Sequence, residues 1–318
     1  MLHNPACLEP TPENLFFPPK KGDYIYFESP VPEPGSPVEV QAAWAADAAM
    51  LAYARYGSSR MDGGEFSGIL HEAGLTDVHP VGDCFVDGAS TARGFFASND
   101  SYALLAFRGT EKGNLNDSAA DADVLLIADQ DGRVHQGFRR YFDSVRADVM
   151  RFVSSYRRSH PTQPICITGH SLGAALASLA FVTLRDQMSS LYTFGCPRVG
   201  DREFCAEIES LASSRACYRT VDNEDAVTHV PVPLPELEYD HPRVTLLWLD
   251  PGGYLVRNPS NPPGDRVGLA ESAFGFIHED SLDRLLTPLP RPLADHSVVR
   301  YCHWLAQAIE PTARATKA

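Results

Sequence analysis

At 318 residues, 44% of them hydrophobic, the chain is long enough to bury a large core, as one α/β domain or as a domain with appendages. Lys and Arg number 27 against 41 Asp and Glu, and the formal charge of −14 argues against a nucleic-acid partner. Nowhere do about 18 uncharged apolar residues run together, so the composition predicts no transmembrane segment.

The first part of the chain is predicted to be an irregular arm, followed by one folded domain. Residues 1–37 are rich in proline, so we expect them to run over the surface. Residues 38–318 are predicted to form a single domain. Its first element is a helix over residues 38–56, which are rich in alanine and in which large apolar residues recur, and a glycine-rich stretch follows.

Strands and helices alternate through the centre of the chain. Two strands joined at "ASND" are predicted within residues 93–110, and a short apolar run lies at residues 123–128. Three helices are predicted next, over residues 139–156, 174–184 and 201–212, and each is followed by a strand, over residues 165–168, 191–195 and 217–222. A hairpin is predicted over residues 243–257. A long loop is predicted at residues 258–295, before a terminal amphipathic helix. This alternation predicts an α/β fold with a mainly parallel central sheet and helices on both faces.

One serine stands where a predicted strand gives way to a predicted helix, in "ICITGHSLGAALASLAF". Ser171 lies between Gly169 and Gly173. A strand that turns directly into a helix needs small residues two positions either side of the apex, because larger side chains would strike the backbone across the turn. The apex side chain then projects clear of the sheet, as an attacking hydroxyl requires. The pattern predicts a nucleophile elbow at Ser171, and an ordinary glycine-rich turn is the alternative.

A nucleophilic serine needs an imidazole that takes its proton and a carboxylate that orients the imidazole. In a sheet of this type the acid follows the serine in the chain and the histidine follows the acid. The strand predicted at residues 217–222 is followed by a turn, and this region offers Asp222, Glu224 and Asp225. Asp225 is preferred, because Asp222 would still lie in the strand or at its end and the side chain of Glu224 is longer.

The base must be one of the histidines that follow the acid. These are His229, His241, His278, His296 and His303. His229 is too near Asp225 in the sequence, and His241 precedes the next strand. His278 lies in the long loop and His303 within the terminal helix. His296 directly precedes that helix, where it can fold back over the sheet, and is the predicted base.

The oxygen of a tetrahedral intermediate needs N–H donors that are already in place. The amide of Leu172, at the start of the elbow helix, is predicted to be one. A second is predicted in "LLAFRGT", where Gly109 lets the backbone approach and the Thr110 hydroxyl adds a further donor. A plain turn from strand to loop is the alternative interpretation of that stretch.

With these motifs the chain resembles the class 3 lipases, the fungal triacylglycerol-lipase type of α/β-hydrolase. "FRGT", "VHQGF", "GHSLGAALA", "YTFGCPRVG", "NEDAVTHVP" and "DHSVVRYC" occur in the family's order over about residues 95–305. The resemblance implies an α/β-hydrolase fold. It implies a catalytic triad of Ser171, Asp225 and His296. It also implies an oxyanion hole formed by Thr110 and Leu172, with Asp121 as the acid that holds the Thr110 hydroxyl.

Some motif positions fall outside that site or depart from the family. His135 and His170 occupy positions that are usually structural. In "GNLNDSAADADV", Ser118 stands where the family's lid often carries tryptophan, and the segment has few apolar residues. The pattern therefore predicts a lid that depends little on a lipid surface.

The expected function is that of a serine hydrolase of carboxylic esters, a lipase or esterase acting through an acyl-enzyme. A phospholipase or feruloyl-type esterase is the alternative within this chemistry, and a non-catalytic lipase-like interaction protein is the alternative outside it. No metal or organic cofactor is implied. The expected partner is a small-molecule ester or lipid, with transient contact to a lipid interface, and not nucleic acid.

The cysteines and the N-terminal stretch indicate the cellular compartment in which the protein is expected. There are seven, an odd number with no Cys-x-x-Cys spacing, which predicts free thiols and a reducing environment. The N-terminal stretch has no basic and apolar regions typical of a secretory signal. A cytoplasmic location, or export by a signal-independent route, is therefore expected.

Overall fold

The structure of the protein is a computed structural model that describes residues 25–27, 29–33, 35–56, 61–82, 85–86, 89–90, 93–109, 125–232, 237–260 and 291–315. The helices in this part of the chain are α1 (Val38–Tyr56), α2 (Gly63–Glu72), α3 (Gln136–Ser159), α4 (Leu172–Thr183), α5 (Arg202–Ala212), α6 (Arg291–Ala294) and α7 (Val298–Ala315). The strands are β1 (Asp77–Val81), β2 (Phe85–Val86), β3 (Ala89–Ser90), β4 (Gly94–Ser98), β5 (Ala103–Phe107), β6 (Leu126–Asp129), β7 (Gly132–His135), β8 (Ile165–His170), β9 (Ser190–Phe194), β10 (Gly200–Asp201), β11 (Ala216–Asp222), β12 (Tyr239–Asp240), β13 (Thr245–Leu249) and β14 (Leu255–Arg257).

The main sheet has eight strands in the order β1-β4-β5-β8-β9-β11-β13-β14. The pairs from β5 through β13 are parallel, and antiparallel pairs lie at the two sides. β5 and β8 are buried at every position, as expected for parallel strands covered on both faces. The predicted α/β fold with a mainly parallel sheet is confirmed.

Two hydrophobic cores lie on opposite faces of this sheet, because neighbouring strand residues point to opposite sides. In β5, Leu104 packs with residues of α1 and α7, whereas Leu105 packs with residues of α3 and α4. The parallel strands end at one edge, so the residues that follow β8 and β11 come together there. That edge carries the candidate site.

Helix α2 and strand β1 are two elements that the sequence patterns did not predict. The glycine-rich stretch after α1 contains α2, whose two leading glycines follow the N-cap residue Asp62. The Asp62 side chain accepts hydrogen bonds from Gly64 N at 2.8 Å and Glu65 N at 3.4 Å, which offsets the low helix propensity of glycine. Strand β1 contains Pro80, which is tolerated because β1 is an edge strand of the sheet.

The predicted N-terminal arm lies partly outside the described residues, which include residues 25–27, 29–33 and 35–37 of it. Tyr26 and Phe27 are buried. Phe27 N donates to Asp47 Oδ2 at 3.0 Å, and its ring lies 4.8 Å from that of Trp44, so this part of the arm packs on α1. The single domain over residues 38–318 stays a prediction. Most of the loop predicted at residues 258–295 lies outside the described residues, and α6 is formed near its end.

Candidate active site

Ser171 forms the apex of a one-residue turn between β8 and α4. Its φ of 58° and ψ of −129° are unusual for a residue with a side chain. Its backbone N–H donates to Phe194 O at 3.0 Å, which ties the apex to the neighbouring strand β9. A Cβ added at Gly169 would lie 2.2 Å from the carbonyl oxygen of Gly173. The turn therefore requires glycine at position 169, as the sequence pattern predicts.

The structure brings Ser171, His296 and Asp225 together although they are far apart in the sequence. Ser171 Oγ lies 2.9 Å from His296 Nε2. His296 Nδ1 lies 2.9 Å from each carboxylate oxygen of Asp225. The side chains of His296 and Asp225 are fully buried, at 1% and 0% exposed. In this arrangement Nδ1–H donates to the carboxylate and leaves Nε2 free to accept the serine proton.

The Asp225 carboxylate has partners besides His296. Its Oδ1 accepts from Val227 N at 2.9 Å, and its Oδ2 accepts from the Tyr301 hydroxyl at 2.7 Å. Burial by itself would raise the pKa of Asp225, but His296 and the Tyr301 hydroxyl outweigh this and hold the pKa below its ordinary value. The group is therefore held as an anion, the form that orients an imidazole and stabilises its charge.

A glycine directly after β9 leaves room for the contact between Asp225 and His296. Gly195 has a φ of 55°, and an added Cβ would lie 2.7 Å from Asp225 Oδ2 and 3.0 Å from His296 Nδ1. A side chain would thus meet both partners of the Asp–His hydrogen bond. Position 195 needs glycine both for its backbone conformation and for this close approach.

Asp222 and the backbone of Glu224 bind other partners. Asp222, the last residue of β11, accepts from Arg300 Nε at 2.9 Å. Glu224 contributes its backbone N–H, which donates to Asp295 Oδ2 at 3.3 Å. Of the three candidates, the structure places Asp225 against His296.

The other histidines are held elsewhere or lie outside the described residues. His229 is in the short 3₁₀ turn after Asp225, and its carbonyl accepts from Arg198. His241 Nε2 donates to Thr228 O at 2.7 Å, and burial helps to hold the pKa of His241 well below its ordinary value. His303 is buried within α7. His278 lies outside the described residues.

His170 contacts the site directly, although its motif position is usually structural. Its Nε2 donates to the backbone carbonyl of His296 at 2.9 Å, and the two rings lie 4.6 Å apart. Its Nδ1 lies 2.9 Å from the Tyr53 hydroxyl, which donates to it in the neutral tautomer. Burial and the neighbouring His296 hold the pKa of His170 well below its ordinary value. A neutral His170 therefore supports the backbone of His296, and the sequence signal for it is its place immediately before Ser171.

The predicted oxyanion hole is described only in part. Leu172 is the first residue of α4, so its N–H has no acceptor within the helix. Gly109, at the end of the described segment, is so close that an added Cβ would lie 2.9 Å from Ser171 Cβ. Thr110 and Asp121 lie outside the described residues. Their roles stay predictions.

We expect Tyr301→Phe to lower kcat by roughly tenfold at unchanged KM, because one charge-assisted hydrogen bond to the carboxylate of Asp225 is lost. The variant also leaves the backbone N–H of Asp222 without the tyrosine oxygen that accepts from it at 3.0 Å, at a cost of about 1–2 kcal/mol in unfolding free energy. Steady-state kinetics with a soluble ester, the substrate class that the sequence motifs predict, and denaturant unfolding measure the two effects.

Tyr192→Phe is the matched control for that variant. Its hydroxyl is also buried and donates to Gln41 Oε1 at 2.7 Å, away from the triad. It should lose stability by a similar amount and keep its kcat. An equal fall in kcat in the two variants would show that the Tyr301 hydroxyl has no special link to the reaction.

The described residues also bear on metals and membranes. They hold no group of three or more His, Cys, Asp or Glu side chains placed to bind a metal ion. None of their helices is both long and apolar enough to cross a membrane. The cysteines among them, Cys166, Cys196, Cys205, Cys217 and Cys302, are buried with free thiols.

Comparison with known proteins matches residues 104–234 to a family described as "Lipase (class 3)". A lipase of Rhizopus niveus is 33% identical over 160 residues, covering 46% of this chain and 40% of that protein. A "secreted mono- and diacylglycerol lipase LIP2" of Malassezia restricta is 27% identical over 203 residues, covering 58% and 62%. The chain thus spans less than two thirds of the length of either relative.

A solved structure also resembles this one. It is a lipase from Rhizopus microsporus var. chinensis, with a TM-score of 0.52 and 23% identity, covering 80% of this chain and 90% of that one. At this identity the likeness concerns the fold, and it agrees with the mainly parallel sheet described above. The fold is that of the α/β-hydrolases.

Proposed function

We propose, from the match of residues 104–234 to the class 3 lipase family, that this protein is a serine hydrolase of carboxylic esters acting through an acyl-enzyme. The observation that carries the proposal is the continuous contact from Ser171 Oγ to His296 Nε2 and from His296 Nδ1 to Asp225, each at 2.9 Å. These are the distances that a nucleophile, its base and the group that orients the base require.

The reaction proceeds in two halves at the same three residues. Ser171 Oγ attacks the ester carbonyl carbon as its proton passes to His296 Nε2. The resulting imidazolium is stabilised by the anion of Asp225, to which it donates from Nδ1. As the bond to the alcohol oxygen breaks, Nε2 returns the proton to that oxygen and the acyl group stays on Ser171. Water then attacks in the same way, and the acid and the free serine are released.

The negative oxygen of each tetrahedral intermediate requires donors already in position. We assign this role to the N–H of Leu172 at the start of α4 and to Thr110, with Asp121 holding the threonine hydroxyl. The start of a helix supports this assignment for Leu172, because its N–H groups point outward and its dipole favours negative charge.

For the substrate we propose lipid esters, with acylglycerols or shorter acyl esters as the class. The relatives named above support this choice, since one is a mono- and diacylglycerol lipase. The test is a rate profile against p-nitrophenyl esters of increasing acyl length, with emulsified acylglycerol, phosphatidylcholine and a feruloyl ester measured in parallel. Highest kcat/KM on phosphatidylcholine or on the feruloyl ester would replace this substrate class. Absence of turnover on all of them, with no phosphonate labelling of Ser171, would favour a non-catalytic interaction protein.

Contact with a lipid interface is expected to be transient and weakly coupled to rate. The segment "NLNDSAADADV" is acidic, lacks tryptophan and lies outside the described residues. We expect no sharp jump in rate as a short-chain triacylglycerol passes its solubility limit, because the sequence of this segment holds few apolar residues that could bind the interface. The measurement is the initial rate across that limit. A steep rise there would mean that apolar surface from another segment, such as residues 258–295, covers the site.

A further inference from the structure

Four charged side chains link the turn that carries Asp225 to the loop that carries His296. They are Asp222, Asp295, Arg300 and Arg291. The side chains of Asp222 and Asp295 are 0% exposed and that of Arg300 is 8% exposed. The proposed chemistry uses none of these groups, so the burial of Asp222, Asp295 and Arg300 beside the triad calls for a separate explanation.

Asp295 is the residue immediately before His296, and one of its carboxylate oxygens accepts hydrogen bonds from the two residues that precede Asp225. Its Oδ2 accepts from Asn223 Nδ2 at 2.8 Å and from Glu224 N at 3.3 Å. Asn223 has a φ of 39°, an unusual conformation for a residue with a side chain. The Asp295 carboxylate therefore joins the two loops. His296 directly follows Asp295 in one loop, and Asp225 directly follows Glu224 in the other.

The second oxygen of Asp295 faces two guanidinium groups. Its Oδ1 lies 2.9 Å from Arg291 Nε and 3.0 Å from Arg300 Nη2. Arg300 Nε in turn donates to Asp222 Oδ2 at 2.9 Å, at the end of β11. The two carboxylates and two guanidinium groups thus form a connected network between β11 and the start of α7.

A gain in stability does not explain this network well. Burial raises the pKa of Asp222 and of Asp295, and Arg300 opposes that rise in both cases. Taking such charges out of water costs several kcal/mol per ion, and well-packed apolar residues of similar volume often do as well or better. The hydrogen bonds of Asp295 Oδ2 and Arg300 Nε have a directional effect that apolar packing would lack, since they hold Asn223, Glu224 and Asp222 in a defined geometry.

We propose that Asp295 is a positioning residue for the ester hydrolysis, which sets the distance between Asp225 and His296 by tying their two loops together. This inference rests on the proposed function. Asp295 holds the chain on the N-terminal side of His296, and His170 holds the His296 carbonyl at 2.9 Å. With both sides fixed, the imidazole keeps the alignment that proton transfer needs, where an error of about 1 Å can cost 100-fold in rate.

The test compares Asp295→Asn with Asp201→Asn. The control Asp201 is also a buried aspartate, which accepts from Arg133 Nε at 2.9 Å and from Phe204 N at 3.1 Å and caps α5. We expect Asp295→Asn to lower kcat by about 30- to 100-fold with KM within twofold, because alignment affects the chemical step and not substrate binding. Asp201→Asn should lose thermal stability and keep kcat within twofold. The rate of phosphonate labelling at Ser171 should fall with kcat.

A second variant tests the same link without changing any charge. Asn223→Ala removes the amide that donates to Asp295 and should lower kcat by about tenfold. The double variant of Asn223→Ala and Asp295→Asn should be no slower than Asp295→Asn alone, since both act through one contact. Asn223→Ala carries the test by itself if Asp295→Asn does not fold.

The outcomes separate this inference from the proposed function. Equal kcat in Asp295→Asn and Asp201→Asn, or multiplicative effects in the double variant, would overturn the positioning role and leave the hydrolase intact. An unmodified protein that neither turns over esters nor reacts with the phosphonate at Ser171 would overturn both.

Discussion

Ser171→Ala is expected to lower kcat for ester hydrolysis by roughly 10⁴-fold, which corresponds to about 5.5 kcal/mol of barrier. The reason is that the variant retains the elbow, His296 and Asp225 but has no oxygen at the position 2.9 Å from His296 Nε2. Residual turnover would come from the oxyanion donors and from substrate binding. The measurement is kcat on a soluble p-nitrophenyl ester, with circular dichroism and thermal unfolding to confirm that the fold is kept.

Ser178→Ala serves as the matched control. Ser178 lies on α4 seven residues after Ser171, is buried, and donates from Oγ to Ala174 O at 2.9 Å. It should keep full activity, and a phosphonate should label Ser171 and no other serine in the unmodified protein. Ester turnover that survives in Ser171→Ala would remove this residue from the mechanism.

His296→Ala should match Ser171→Ala in severity, again at roughly 10⁴-fold in kcat. Without the imidazole, the Ser171 hydroxyl has no base at 2.9 Å and Asp225 has no charge to stabilise. The double variant should be hardly slower than either single one, because nucleophile and base act as one unit. Kinetics of the three variants at one pH and one protein concentration, with circular dichroism to confirm that each is folded, check this.

His278→Ala and His303→Ala are the comparisons for the base. His278 lies outside the described residues, and His303 is buried in α7, so His303→Ala is expected to affect stability more than kcat. Each variant is therefore assayed at a temperature well below its thermal unfolding midpoint. An inactive His278→Ala beside a folded, active His296→Ala would move the catalytic base to the long loop.

The nearby partners of the triad are the part of the site that sequence patterns located least well. Tyr301 lies in the terminal helix, and its hydrogen bond to Asp225 at 2.7 Å is visible only in the structure. Tyr53 and His170 are 117 positions apart, and neither motif alone shows that they form one chain of hydrogen bonds to the His296 carbonyl. Asp295 and Asn223 likewise come from different loops. Such contacts depend on how two segments pack, which no local pattern encodes.

By itself the sequence determined the elements that short-range physics controls. The elbow at Ser171 follows from Gly169, because an added Cβ would meet the carbonyl of Gly173 only four residues on, so this steric limit is local. At Gly173 the limit is tertiary, because an added Cβ would lie 2.4 Å from the carbonyl oxygen of Phe107 in β5. The parallel sheet follows from apolar strands that alternate with helices. The sequence favoured Asp225 by its place beyond the strand, but only the tertiary structure shows which of Asp222, Glu224 and Asp225 contacts the imidazole, because that contact joins segments far apart in the chain. Arg300 pairs with Asp222, the Glu224 backbone donates to Asp295, and Asp225 is left beside His296, 71 positions away in the chain.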